Sequence, residues 1–168
     1  MMLEIALDAD EEWDSSGSWE QLAREAAEAA IAESAFPQLV TSSRPVEISV
    51  RLSGDEEVRA LNAQWRGKDK PTNVLSFPML EEEDLRATNV ASPELLLGDI
   101  ILARGVCEAE AAEKGVSVEQ HATHLLVHGT LHLLGYDHQA DGDAADMEKR
   151  EIRALERLGI ANPYEAVA

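Results

Sequence analysis

The hydrophobic pattern of the chain switches repeatedly between a two-residue period and a helical one. Alternating apolar and polar side chains predict strands over 3–8 and 46–52, and two further apolar runs, 74–78 and 95–103, predict two more. The run 95–103 is largely apolar, which favours an inner position in the sheet. Helical spacing predicts helices after Ser18, after Asp55, from Val106, over 118–134 and over 144–158.

Capping residues indicate where these helices begin and end. Ser18 and Asp55 are predicted N-caps, and Ser117 with Gln120 three residues later matches a capping box. Glycines at 135 and 159 are placed to end the last two helices. The acidic stretch 81–91 predicts an exposed excursion. With no repeat or linker, the pattern predicts one α+β domain over 1–168, a small mixed β-sheet packed with helices.

The charge balance is strongly acidic. The 168 residues include 14 Lys+Arg and 33 Asp+Glu, a formal charge of −19, which is unlike a basic coat for nucleic acid or anionic membrane. A hydrophobic fraction of 45% is ordinary for a folded chain, so the acidity is that of a solvated surface. Residues 36–80 are the exception, with six basic and five acidic side chains.

Other features predict a soluble cytoplasmic protein with no membrane partner. The single cysteine, Cys107, excludes an internal disulfide and fits a reducing compartment. The N-terminal apolar residues are soon followed by acids, unlike a signal peptide, and no apolar run is long enough to span a bilayer.

All five histidines lie between 121 and 138. Positions 121, 124, 128 and 132 share one face of the predicted helix, and the i, i+4 pair His128 and His132 can reach one metal ion. A turn at Gly135 would bring His138 back toward the same ion. Three imidazoles leave one position open, as in catalytic zinc sites, so we expect one zinc ion per chain on a zincin-like histidine helix.

Other polar residues near this motif have two readings each. His121 and His124 are more typical of hydrogen-bonded core histidines, although His124 could contact a metal ligand or the substrate. Asp137 could orient an imidazole, or could serve the turn alone. Gly129 stands where H-E-x-x-H metalloproteases have their general base, so that base is absent.

The run from His128 to His138, H-G-T-L-H-L-L-G-Y-D-H, resembles the H-G-x-x-H-x-x-G-Y-D-H signature of the YbeY endoribonucleases, the bacterial rRNA maturation factors. Residues 62–78, 97–100 and 158–164 are similar to further stretches of that family. These blocks together extend over most of 46–164. The first 45 residues contain no matching motif.

The resemblance implies a metal-dependent, single-strand-specific endoribonuclease that acts in 16S rRNA 3′-end maturation and ribosome quality control. It implies zinc held by His128, His132 and His138, and a functionally important arginine at Arg66. Implied partners are single-stranded rRNA and the small ribosomal subunit with its proteins.

Arg66 suits this chemistry because its planar fork matches phosphate oxygens and can stabilise charge that develops on a phosphodiester. Lys68 and Lys70 extend the basic run, either as RNA contacts or as a solvated face. Trp65, Phe77 and Tyr136 are expected in the core, which argues against a base-stacking platform. Two alternatives stay open: a zinc hydrolase of another class, such as a peptidase, and a non-catalytic ribosome-assembly factor with a structural metal.

Overall fold

The computed structural model describes residues 3–11, 13, 18–41, 45–81, 85, 95–136 and 141–164. The elements follow in the order β1 Leu3–Ala9, α1 Trp19–Ala32, α2 Gln38–Thr41, β2 Val46–Ser53, α3 Asp55–Arg66, β3 Val74–Pro78, β4 Leu95–Ala103, α4 Arg104–Lys114, α5 Val118–Leu133 and α6 Asp141–Arg157. The predicted α+β class is confirmed.

The four strands form one mixed sheet in the order β1-β2-β4-β3. β1, β2 and β4 run parallel, and β3 pairs antiparallel with β4. The inner position predicted for 95–103 is therefore correct, and β2 is the second inner strand. Parallel neighbours need a crossover connection, which α1 supplies between β1 and β2.

A bulge at Gly98 interrupts the alternation of β4. Along β2, Glu47 pairs with Leu96 but the next residue pairs with Gly98, so Leu97 is skipped. Gly98 has a φ of +145°, and a Cβ there would lie 2.3 Å from the carbonyl oxygen of Phe77 on β3. Because the bulge shifts the phase, Leu97 and Ile100 both reach the main core.

Helices cover both faces of this sheet. Leu102 belongs to the main core, which the sheet forms with α1, α5 and α6. The adjacent Ile101 points the other way and packs with Val58 of α3 and Leu75 of β3. In the layer of α1, α5 and α6, the histidine-bearing helix α5 packs directly against the sheet.

Two details of the helix ends differ from the sequence predictions. The N-cap position of α3 is Gly54, and the predicted cap Asp55 instead accepts a hydrogen bond at Oδ1 from the backbone N–H of Val106 in α4, at 3.2 Å. Ser18 occupies the N-cap position of α1 without a side-chain hydrogen bond. Of the predicted exposed excursion over 81–91 the structure describes two residues, of which Glu81 is exposed and Leu85 is buried.

Candidate metal centre

The histidine helix α5 starts at the predicted capping box and opens to solvent near its end. Ser117 and Gln120 make both bonds of the box. Residues 121–127 are buried, whereas His128 and His132 are partly exposed. One turn apart, these two imidazoles bring their Nε2 atoms to 3.0 Å from each other.

The partner of each Nδ1 atom indicates which nitrogen carries the proton when the ring is neutral. His132 Nδ1 lies 2.8 Å from the backbone carbonyl of Tyr136, which can only accept, so this nitrogen carries the proton. His128 Nδ1 contacts the carboxylate of Glu151 and donates to it for the same reason. With both rings in this neutral tautomer, each Nε2 presents a lone pair toward the other, and a cation between them would satisfy both, whereas a ring protonated on both nitrogens would donate from its Nε2 to the other ring. The donor set fits a divalent metal ion that prefers imidazole nitrogen.

Glu151 of α6 links the charged and polar groups behind the pair. It is 1% exposed, and its second oxygen accepts hydrogen bonds from Tyr164 Oη and from His124 Nε2, the latter at 3.3 Å. Burial would raise the pKa of Glu151, but the bonds from His124, His128 and Tyr164 outweigh it and lower that pKa below its usual value. The carboxylate is thus a buried acceptor with three donors.

The sequence interpretation missed Glu151, although a signal for it was present. Along α6 the buried residues Met147, Ala154 and Leu155 form an apolar stripe, and Glu151 falls inside that stripe at helical spacing. A buried acid on such a stripe needs partners, which are the histidines of the neighbouring helix.

The other two histidines of α5 are buried. His124 contacts Glu151 and packs edge-on against the ring of Tyr164, with centroids 5.5 Å apart. His121 Nε2 lies 2.7 Å from Glu110 Oε1 on α4. Burial lowers the pKa of His121, and the hydrogen bond to Glu110 opposes this shift.

A cleft of about 280 Å³ opens beside His128. Its lining includes Asn73, Glu110, His121, His124, His128 and Tyr164. A larger cleft of about 580 Å³, near Trp19 and Glu119, contains no histidine. The smaller cleft is the candidate site because it contains a member of the converging imidazole pair.

Gly129 faces the sheet at a close approach. A Cβ at this position would lie 3.1 Å from Cγ2 of Ile100 on β4, so any larger side chain would require the Ile100 side chain to shift. Glycine at position 129 therefore suits the close packing of α5 on the sheet.

The basic run follows the end of α3, where Gly67 takes a φ of +70°. Arg66, Lys68 and Lys70 are all exposed. The loop is closed by Asn62, whose side-chain amide donates to the carbonyl of Lys70 at 2.8 Å. It continues to Asn73, which lines the cleft beside His128.

Two predicted site residues, Asp137 and His138, lie outside the described residues. Within the part of the chain that the structure describes, no group of three or more His, Cys, Asp or Glu side chains is arranged to hold a metal ion. The described contribution is therefore the His128 and His132 pair.

Two other expectations concerned packing. Trp65 was expected in the core, and this is wrong, because it is 64% exposed. Phe77 and Tyr136 are half-buried. Cys107 is buried, and burial raises the pKa of its thiol to about 12.

The fold and the site define a small α+β domain with a helix-borne imidazole pair facing a cleft. Residues 6–159 match the family model described as "Endoribonuclease YbeY", and the chain belongs to that family. It is 53% identical over 164 residues to "Endoribonuclease YbeY" of Rhizorhabdus wittichii, which covers 97% of both chains. The Sphingopyxis alaskensis protein of the same name is 51% identical over 164 residues, 97% of this chain and 98% of that protein.

A solution structure of a Thermotoga maritima protein has the same fold, with a TM-score of 0.52 and 24% identity over 98% of this chain and 100% of that chain. Of the helices that the structure describes, none combines the length and the apolar character needed to cross a membrane.

Proposed function

We propose that the chain is a zinc-dependent, single-strand-specific endoribonuclease that acts in 16S rRNA 3′-end maturation and ribosome quality control. The observation that carries this proposal is the pair of Nε2 atoms of His128 and His132, which converge to 3.0 Å beside a cleft in a chain of the endoribonuclease YbeY family. The partners would be single-stranded rRNA and the small ribosomal subunit with its proteins, in the cytoplasm.

In this proposal His128, His132 and His138 hold one zinc ion. When bound, the metal supplies Lewis-acid stabilisation to the scissile phosphate. Glu151 keeps the proton of His128 on Nδ1, and the Tyr136 carbonyl does the same for His132. The two side chains therefore present their Nε2 lone pairs without reorganisation.

Arg66 binds the phosphate and offsets the negative charge that develops during cleavage. What supports this role is its exposed position at the end of α3, in a loop that leads to the cleft at Asn73. A guanidinium forms two parallel hydrogen bonds with phosphate oxygens, which an ammonium does not reproduce. Lys68 and Lys70 extend the same electrostatic attraction along the RNA backbone. His124 and Asp137 serve as supporting groups around the metal ligands.

The test compares cleavage of single-stranded rRNA fragments, the same sequence in a duplex, and casein. The protein is loaded with zinc and compared with Arg66→Ala and His132→Ala. Arg153→Ala is the matched control, because it removes an exposed arginine from α6, away from the basic run. We expect cleavage of the single strand alone, its loss in Arg66→Ala and His132→Ala, and full activity in the control.

Other outcomes would reject the proposal. RNA cleavage that survives both substitutions would point to a contaminating nuclease. Casein cleavage would favour a peptidase, in spite of Gly129. A protein that cuts neither substrate but still binds small ribosomal subunits would be an assembly factor with a structural metal.

A further inference from the structure

Trp65 is an unusually exposed tryptophan. It lies in the last turn of α3 and is 64% exposed, whereas the chain's other tryptophans, Trp13 and Trp19, are 3% and 7% exposed. Its ring contacts Phe77 of β3 edge-on, with centroids 6.4 Å apart. This contact supports the indole from one side and leaves much of its surface to solvent.

The surroundings of Trp65 are basic in a chain that is otherwise acidic. Arg66, Lys68 and Lys70 follow it directly and are exposed. The one acid within this run, Asp69, is paired with Arg59 by a bond of 2.8 Å between Oδ1 and Nε. Arg59 thereby compensates the charge of Asp69. The electrostatic field near Trp65 is then set by Arg66, Lys68 and Lys70 and is positive.

We propose that Trp65 is a base-stacking residue, and that with Arg66, Lys68 and Lys70 it forms a subsite for single-stranded RNA outside the candidate metal centre. The indole face stacks on an unpaired base while the cations contact the flanking phosphates. This inference rests on the proposed function, because it assumes that the substrate is RNA.

Charge complementarity favours single-stranded RNA as the ligand of this subsite. Single-stranded nucleic acid combines exposed aromatic bases with a regular anionic backbone, and proteins bind it by aromatic side chains beside basic groups. A duplex keeps its bases stacked on each other and would offer Trp65 no free base face. Stacking also provides attraction that does not depend on charge, which a chain of −19 needs in order to hold a polyanion.

The loop geometry connects this subsite to the cleft. Seven residues lie between Trp65 and Asn73, and the bond from Asn62 to the Lys70 carbonyl holds the intervening loop against α3. Asn73 itself lines the cleft beside His128. An RNA strand that stacks on Trp65 can therefore follow the cations of this loop toward the imidazole pair.

Intrinsic fluorescence provides a direct test, because Trp65 is exposed whereas the other two tryptophans are buried. The probe is a 2′-O-methylated oligouridine, which is single-stranded and resists cleavage. We expect it to quench the exposed emission of the wild type. Because Trp65→Leu lacks this reporter, affinity is compared by the fluorescence anisotropy of an end-labelled oligouridine, and the variant should bind the RNA about tenfold more weakly. Trp65→Phe, which keeps an aromatic face, should retain most of the affinity.

Val116→Ala is the matched control, because Val116 is another exposed apolar residue, in the turn between α4 and α5. Circular dichroism checks that each variant is folded. Cleavage of unmodified single-stranded RNA, measured in parallel, should show a raised KM for Trp65→Leu and a kcat close to that of the wild type.

The results separate this inference from the proposed function. If Trp65→Leu binds the oligouridine as tightly as the wild type while the wild type cleaves RNA, the stacking subsite is wrong and the nuclease proposal stands. If Val116→Ala weakens binding as much as Trp65→Leu, the effect is not specific and the subsite is also rejected. If the wild type neither binds nor cleaves the RNA, both proposals fail.

Discussion

The substitution Glu151→Gln tests the role of the buried carboxylate behind the imidazole pair. The carboxylate is 1% exposed and accepts hydrogen bonds from His128, His124 and Tyr164. Glutamine has nearly the same shape, but it offers one acceptor oxygen and one donor amide where the carboxylate has two acceptors. A donor must then face either His128 or the pair of His124 and Tyr164.

We expect either orientation of the amide to weaken the proposed metal binding. If the amide faces His128, that imidazole has to accept at Nδ1 and carry its proton on Nε2, the atom that faces His132. If the oxygen faces His128, the tautomer is kept but the negative charge behind it is lost. Loss of such a supporting group lowers metal affinity roughly 10–100-fold, which corresponds to about 1.4–2.8 kcal/mol.

The assay is competition for Zn²⁺ with a chromophoric chelator, with ¹⁵N shifts of the His128 ring as a readout of its tautomer. Glu156→Gln is the matched control, because it makes the same charge change at an exposed position of α6. Glu151→Gln binding zinc as tightly as the wild type would refute the orienting role. An equal loss in Glu156→Gln would assign the effect to the general charge of the helix.

Three further predictions concern stability and pH. Gly98→Ala should lower the free energy of unfolding by about 3 kcal/mol, measured in urea, since its φ is +145° and its Cβ would lie 2.3 Å from a carbonyl oxygen. Gly129→Glu, which completes an H-E-x-x-H motif, should cost about 3–5 kcal/mol because it forces a charge toward Ile100, and thermal unfolding with a casein assay should show a destabilised protein without peptidase activity. Burial lowers the pKa of His121, so the unfolded chain binds this proton more readily and stability falls as the pH drops below about 6.5; His121→Gln should reduce that fall in urea titrations at successive pH values.

The sequence predicted elements whose signals are local. The alternation over 46–52 and the capping box at Ser117 depend on neighbouring residues, and both elements are found within a residue or two of the expected bounds. The convergence of His128 and His132 is also local, because a step of four residues on a helix fixes the relative position of the two rings. The converging pair therefore follows from the sequence, whereas the proposed third ligand, His138, lies outside the described residues.

What the sequence could not give depends on contacts between distant elements. Glu151 lies 23 residues from His128, and their contact exists because α6 packs beside α5. Asp55 holds the start of α4 through the N–H of Val106, a contact across 51 residues that no capping rule contains.

Trp65 illustrates a different limit of the periodic pattern. It continues the spacing of Val58 and Leu61, which predicted a buried residue. Val58 is 0% exposed, Leu61 is partly buried and Trp65 is 64% exposed, so burial declines along the stripe as α3 approaches its end. Periodicity identifies which face of a helix is apolar, but not where the element that covers this face ends. The wrong prediction that Trp65 is buried therefore excluded it as a residue that could stack on a base.

The salt dependence of RNA binding reports on both the basic run and the acidic remainder of the chain. If Arg66, Lys68 and Lys70 are the phosphate contacts, the logarithm of the binding constant for single-stranded RNA should fall with the logarithm of salt concentration with a slope of about −2. The acidic remainder of the chain repels RNA, and salt screens that repulsion, so its effect makes the slope shallower. Lys68→Gln should reduce the slope by about 0.7, whereas Lys149→Gln, an exposed change on α6, should leave it unaltered. A wild-type slope clearly steeper than this would mean that other cations carry the RNA, and the basic run would lose its assigned role.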